Sequence, residues 1–165
     1  MGNRELRLVI SGTYSTGKTT TATALSIATG LPLIDALSAR EILTDLYPGR
    51  RFQDMSSTEL MALGLKRFEE RIRTEGILYK EHGSFLSDGS VLNEWIYGTV
   101  RMRVGINPGS AFIHRLMKSI LGIPGRRFFK KYLTAYGVVS KNHAKLWYTD
   151  VVHLPVEFAM DPDGH

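Results

Sequence analysis

One stretch of eight residues carries the clearest chemistry, because Gly12-Thr13-Tyr14-Ser15-Thr16-Gly17-Lys18-Thr19 follows the pattern G-x-x-x-x-G-K-[ST]. Glycine at the fixed positions 12 and 17 opens backbone angles closed to other residues. The chain can then wrap an anion with successive N–H groups pointing inward. Lys18 supplies a positive charge for β- and γ-phosphates, and Thr19 offers its hydroxyl to Mg²⁺. A helix opening here adds the positive end of its dipole. The expected nucleotide-binding segment runs from Gly12 to Thr20, with ATP or GTP as the nucleotide. The plainer alternative is a glycine-rich turn beside an ordinary lysine. An apolar run directly before the loop and helical spacing directly after it favour the phosphate loop.

Further groups could line or charge a site. Ser90, Glu94 and Tyr97 recur at spacings of four and three, one face of a helix, and could border an acceptor pocket. Trp95 beside them serves equally well as core. Arg101 and Arg103 could bind an anionic substrate, although a solvated surface accounts for either. Arg126-Arg127-Phe128-Phe129-Lys130-Lys131 interleaves basic and aromatic residues, as single-strand nucleic-acid binders do. Yet Phe128, Phe129, Tyr132, Leu133 and Tyr136 form the core stripe of a helix with the charges on its other face, which disfavours nucleic acid as a partner.

These residues need elements to hold them. Leu6 to Ser11 reads as a buried strand before the loop, and Thr19 to Ala28 as a helix ended by Gly30 and Pro32. Leu33-Ile34-Asp35 fits a second strand. Ser38 with Glu41, and Ser56 with Glu59, are capping boxes that open two helices. The second of these shows Met61, Leu65, Phe68 and Ile72 as a buried stripe, with Lys66, Arg67, Glu70, Arg71 and Arg73 on the solvated face. Phe85 to Asp88 reads as a third strand leading into a helix from Ser90 to about Tyr97. Asn107-Pro108-Gly109 is a break, and Phe112, Ile113, Leu116, Met117 and Ile120 form an amphipathic helix. A second break at Pro124-Gly125 precedes the basic and aromatic helix, and Asp150 to Leu154 is the last strand. Apolar strands alternating with helices predict one α/β domain around a parallel sheet.

Composition excludes several classes. The chain has 165 residues, of which 43% are hydrophobic and 22% charged, with no cysteine. A compact chain of this length buries roughly 70% of its unfolded surface and needs no staple. Absent cysteine, disulfide scaffolds, thiolate zinc sites, iron–sulfur clusters and cysteine nucleophiles are excluded. No apolar run approaches the roughly 20 residues of a membrane span, and no secretory pattern opens the chain, so a cytoplasmic location is expected. The start Met1-Gly2-Asn3 lacks Ser or Thr at position 6, where Leu6 stands, which rules out a myristoylation signal. A net charge of +5 fits either a polyanionic partner or a pocket for a small phosphorylated ligand.

With its Walker A loop in place, the sequence resembles the P-loop NTPase superfamily, and within it the small AAA-type ATPase/kinase family similar to bacterial ribosylnicotinamide kinases. Four pieces carry the resemblance: Ser11 to Thr20, Asp35 with Arg40-Glu41, Phe85 to Asp88 with Gly98, and Val151 to His165. It implies a three-layer P-loop sandwich with a parallel sheet and a helical insertion on the substrate side, spanning 1–165 as a single domain. It also implies that Asp88 is the Walker B aspartate, on the strand beside the one preceding the loop, ordering Mg²⁺ or accepting a proton. The plainer role for Asp88 is a cap on the following helix. Asp35 is the competing base near the substrate hydroxyl. Arg40 stands on the substrate side, whereas Glu41 is accounted for by its capping box.

In that family an arginine-bearing lid and a last strand would follow Asp163-Gly164-His165, so both are expected beyond this chain. The resulting expectation is a phosphotransferase that moves the γ-phosphate of ATP to a hydroxyl of a small, nucleoside-like metabolite, with Lys18 and one of Asp88 or Asp35 as catalytic groups. The alternatives are a nucleotide switch or regulatory ATPase acting through a protein partner, and a nucleic-acid-dependent NTPase. Acceptor identity and oligomeric state are not written in the sequence.

Overall fold

The computed structural model describes residues 5–13, 16–104 and 123–157. Tyr14 and Ser15, the break at Asn107-Pro108-Gly109, the expected helix over Phe112 to Ile120, and Asp163-Gly164-His165 lie outside the described residues. So do the side chains of Glu94, Arg101, Arg103 and Arg126.

The described order is β1 (Arg7–Ser11), α1 (Lys18–Thr29), α2 (Ala39–Leu46), a short 3₁₀ turn (Phe52–Asp54), α3 (Ser57–His82), β2 (Phe85–Asp88), α4 (Leu92–Val104), α5 (Ile123–Trp147) and β3 (Asp150–His153). The three strands form one parallel sheet in the order β2-β1-β3. Arg7 pairs with Phe85 and Ile10 with Asp88 on one side of β1, while Leu8 pairs with Asp150 and Ser11 with His153 on the other. Parallel strands need long crossovers, and the helices supply them. Every strand therefore delivers its C-terminal end to the same edge, where Ser11, Asp88 and His153 collect.

The expected second strand is reduced to one bridge, Leu33 to Leu86, flanked by Ile34 N–H to Leu86 O and Leu86 N–H to Pro32 O, each 2.8 Å. Pro32 has no N–H to extend a ladder, and the chain leaves the sheet after Ile34. Both capping boxes form, Ser38 with Glu41 and Ser56 with Glu59. The helix after Asp88 starts at Leu92 rather than Ser90 and runs past Tyr97 to Val104. Pro124 does not break the chain. It sits in the first turn of α5, where its missing N–H costs nothing.

The core gathers around the sheet, with Val9, Ile10, Phe85 and Leu86 each at most 1% exposed, and a second cluster joins Ile42 and Leu43 of α2 to Leu63 of α3. The expected α3 stripe requires correction. Leu65 is 51% exposed, and the buried positions are Leu63, Glu70 and Glu75. Because α3 meets α2 on one side and β2 and α4 on others, it has no single buried face. Glu70 is buried between Lys66 and Arg73, which hold its carboxyl below the usual carboxylate range. In α5, Leu133 and Tyr136 are buried as expected, but Phe128 is exposed.

Helices α4 and α5 pack closely through two glycines. A side chain at Gly98 would meet Leu133, and one at Gly137 would meet the Trp95 indole, over which Lys141 places its ammonium 4.2 Å from the ring centroid. Gly137→Leu is therefore expected to destabilise by about 1–3 kcal/mol through overpacking. Gly76, on α3 with open space around it, should instead gain about 0.5–1 kcal/mol as alanine from helix propensity. Urea denaturation of the two variants checks the opposite signs.

Candidate nucleotide-binding site

The loop after β1 turns sharply. Gly12 has φ 156°, and a Cβ there would stand 2.6 Å from Thr16 Oγ1 and 2.9 Å from Leu154 O. Only glycine fits between the loop and the segment leaving β3. Thr16 is buried and donates its hydroxyl to Thr13 O at 3.0 Å, which cinches the loop. Gly17 closes it in the left-handed region, φ 79° and ψ 18°, as the residue before α1. No side chain caps α1 at this end, and no acidic residue occupies its first turn. The amides of Lys18, Thr19 and Thr20 are thus set at a positive helix end that can receive an anion.

Lys18 points back across the loop and donates Nζ to Thr13 O. Thr19 donates Oγ1 to Asp88 Oδ2 at 2.5 Å. That bond spans 69 residues and follows from the β1–β2 register, which sets Asp88 level with Ile10 at the sheet edge. Asp88 does not cap α4. The Leu92 N–H goes to Ser90 Oγ at 3.2 Å instead. The Thr19 hydroxyl and Asp88 carboxylate beside the first turn of α1 are hard oxygen donors of the kind Mg²⁺ takes, one or two from protein and the rest from phosphate and water. Among the described residues no cluster of three His, Cys, Asp or Glu offers a different metal site.

Asp35 is exposed. It follows the Leu33–Leu86 bridge by two residues, after the chain has left the outer side of β2. Beside this edge opens a cleft bordered by Ala36 and Leu37, by Phe68 and Arg71 of α3, and by Ser90 and Asn93. Of the residues expected to border an acceptor pocket, Ser90 lines the cleft. Tyr97 lies about two turns further along α4, half-buried. Arg40 is exposed on α2, and Glu41 is committed to the Ser38 cap.

Sequence reasoning missed Arg71, assigned to the solvated face of α3. It is half-buried and reaches Ser87 Oγ at 2.7 Å and Asp88 O at 3.2 Å. It also missed Glu75, fully buried, which accepts from Tyr148 OH at 2.8 Å and pairs with His143 Nε2 at 2.9 Å. Burial, and then the Glu75 charge, pushes the Tyr148 phenol above its ordinary range, which keeps the hydroxyl a donor. A charged residue at a core position of α3 with histidine and tyrosine distant in sequence carries no local signal.

Loop, sheet edge and helices together define an α/β protein of the P-loop type. The sequence model of the AAA-domain family matches residues 7–165, and the chain belongs to that family of P-loop NTPases. Among solved structures, the deoxyadenosine kinase from M. mycoides with bound dATP shares the fold at TM-score 0.50 and 12% identity, over 96% of this chain and 94% of that one. No curated protein matches the sequence. No helix among the described residues is long and apolar enough to cross a membrane.

Proposed function

We propose that the protein is an ATP-dependent phosphotransferase that carries the γ-phosphate to a hydroxyl of a small, nucleoside-like metabolite. The observation that carries this reading is the Thr19–Asp88 hydrogen bond at the mouth of the loop. The loop amides and Lys18 bind the phosphates, and Thr19 and Asp88 hold Mg²⁺, directly or through water. The ion, when bound, neutralises charge on the β- and γ-oxygens. Asp35, exposed after the Leu33 bridge, is the candidate carboxylate to take the proton of an attacking hydroxyl. The chain contributes mainly positioning and charge stabilisation. The family and the fold shared with deoxyadenosine kinase support a nucleotide-handling enzyme.

ATP turnover measured with a panel of nucleosides, sugars and oligonucleotides tests the reading. Stimulation by one nucleoside or related small alcohol is expected. Stimulation by a protein fraction alone would shift the reading to a regulatory ATPase. The exposed Arg127, Lys130 and Lys131 of α5 are expected to bind nucleic acid only weakly. A true binder making several phosphate contacts loses orders of magnitude in affinity between about 50 and 200 mM salt. Tight binding with that slope, abolished by replacing Arg126, Arg127, Lys130 and Lys131, would favour a nucleic-acid-dependent NTPase.

A further inference from the structure

The turn from Asp88 to Val91 is gripped from behind by two residues of α3 that phosphate chemistry does not require. Arg71 donates Nη1 to Ser87 Oγ at 2.7 Å and to Gly89 O at 3.4 Å, and Nη2 to Asp88 O at 3.2 Å. Ser87 Oγ itself donates to Gly89 O at 2.8 Å. One helical turn further, Glu75 accepts from Tyr148 OH, and the same hydroxyl accepts from Val91 N–H at 3.2 Å. Gly89 N–H adds a tie to Ile10 O at 3.0 Å. Main-chain groups of Asp88, Gly89 and Val91 are thus all held, and the Asp88 side chain is left to Thr19.

A guanidinium that merely filled space here could be replaced by an apolar side chain. This one spends its planar fork on oxygens of three consecutive residues centred on Asp88, which fixes the peptide planes from which the carboxylate projects. We propose that Arg71, backed by the Glu75–Tyr148 pair, is a positioning residue that aims the Asp88 carboxylate at Thr19 and so sets how strongly Mg²⁺ supports nucleotide binding. The inference rests on the magnesium role of Asp88 stated above. It takes the site one step outward, since partners behind a metal ligand commonly govern metal affinity about 10–100-fold.

The test is ATP binding by calorimetry, with Mg²⁺ and with EDTA, without any acceptor, alongside melting temperatures. Arg71→Met should cut the enhancement of ATP affinity by Mg²⁺ about tenfold while affinity in EDTA stays within about twofold, and Arg71→Lys should restore part of it. In an Asp88→Asn background, Arg71→Met should cause no further loss of the enhancement, because both changes act through one group. Additive losses, or equal losses with and without Mg²⁺, would assign Arg71 a general structural role and overturn the proposal. An enhancement unchanged in Arg71→Met but lost in Asp88→Asn overturns it too and leaves Asp88 in place. If Asp88→Asn itself changes nothing, the underlying reading of Asp88 fails with it. Should Arg71→Met not fold, Tyr148→Phe keeps the ring but removes the hydroxyl between Glu75 and Val91. A smaller loss of about threefold is expected there, and none would overturn the brace.

Discussion

Lys18→Ala is expected to lower phosphoryl transfer by at least about 10²-fold, the scale of removing one preorganised charge-stabilising donor, while the melting temperature stays near that of the parent chain. The ammonium makes its hydrogen bond to Thr13 O within its own loop, and Lys18 is not part of the buried core. Its loss removes charge from the anion site and little packing. The loop geometry rests elsewhere, on Gly12 against Leu154, on the Thr16 hydroxyl, and on Gly17 at the start of α1. Turnover and thermal denaturation should be followed on the same preparation. Near-normal turnover in the variant would remove the phosphate-loop reading altogether, and an equal collapse of stability would show that Lys18 holds the loop together instead.

The second large effect separates the two carboxylates. Asp88→Asn should raise the Mg²⁺ concentration needed for half-maximal turnover, because the amide keeps the shape of the Thr19 contact but loses the charge that favours a divalent ion. Asp35→Asn should lower kcat with nucleotide affinity nearly unchanged. The geometry supplies the reason. Asp88 ends the strand paired with β1 and bonds Thr19, whereas Asp35 follows the Leu33 bridge on the far side of β2. Turnover across a Mg²⁺ titration, with nucleotide affinity measured separately, distinguishes the two. The reverse pattern would exchange their roles, and unchanged kinetics in both variants would remove both assignments.

How much of this could be read from residues alone depends on the range of the signal. The two capping boxes and the exposed Arg127, Lys130 and Lys131 of α5 rest on residues within a turn or two of one another, and each is observed where expected. The α3 stripe failed for a different reason. Spacing of four and three identifies one face, but α3 is contacted from several directions, so Leu65 points outward while Glu75 is 0% exposed. Polarity predicted Arg71 and Glu70 to be solvated. Each has oxygen or cationic partners that make partial or full burial tolerable, and those partners cannot be inferred from the charge itself.

By itself the sequence marked the loop proposed to bind an anion, because glycines at 12 and 17, Lys18 and Thr19 act through local backbone angles and a helix end. It also determined the parallel α/β class, because short apolar strands separated by helices have few other ways to bury themselves. Only the tertiary structure decided which carboxylate meets Thr19, since that contact depends on the register of two strands whose paired residues, such as Ile10 and Asp88, lie far apart in the chain. It alone decided that Leu33 makes a single bridge rather than a strand. It also turned Arg71, Glu75 and Tyr148 into a brace around the Asp88 turn. Hydrogen bonds between groups far apart in the chain have no periodicity to betray them, and they form only once the fold has brought both partners together.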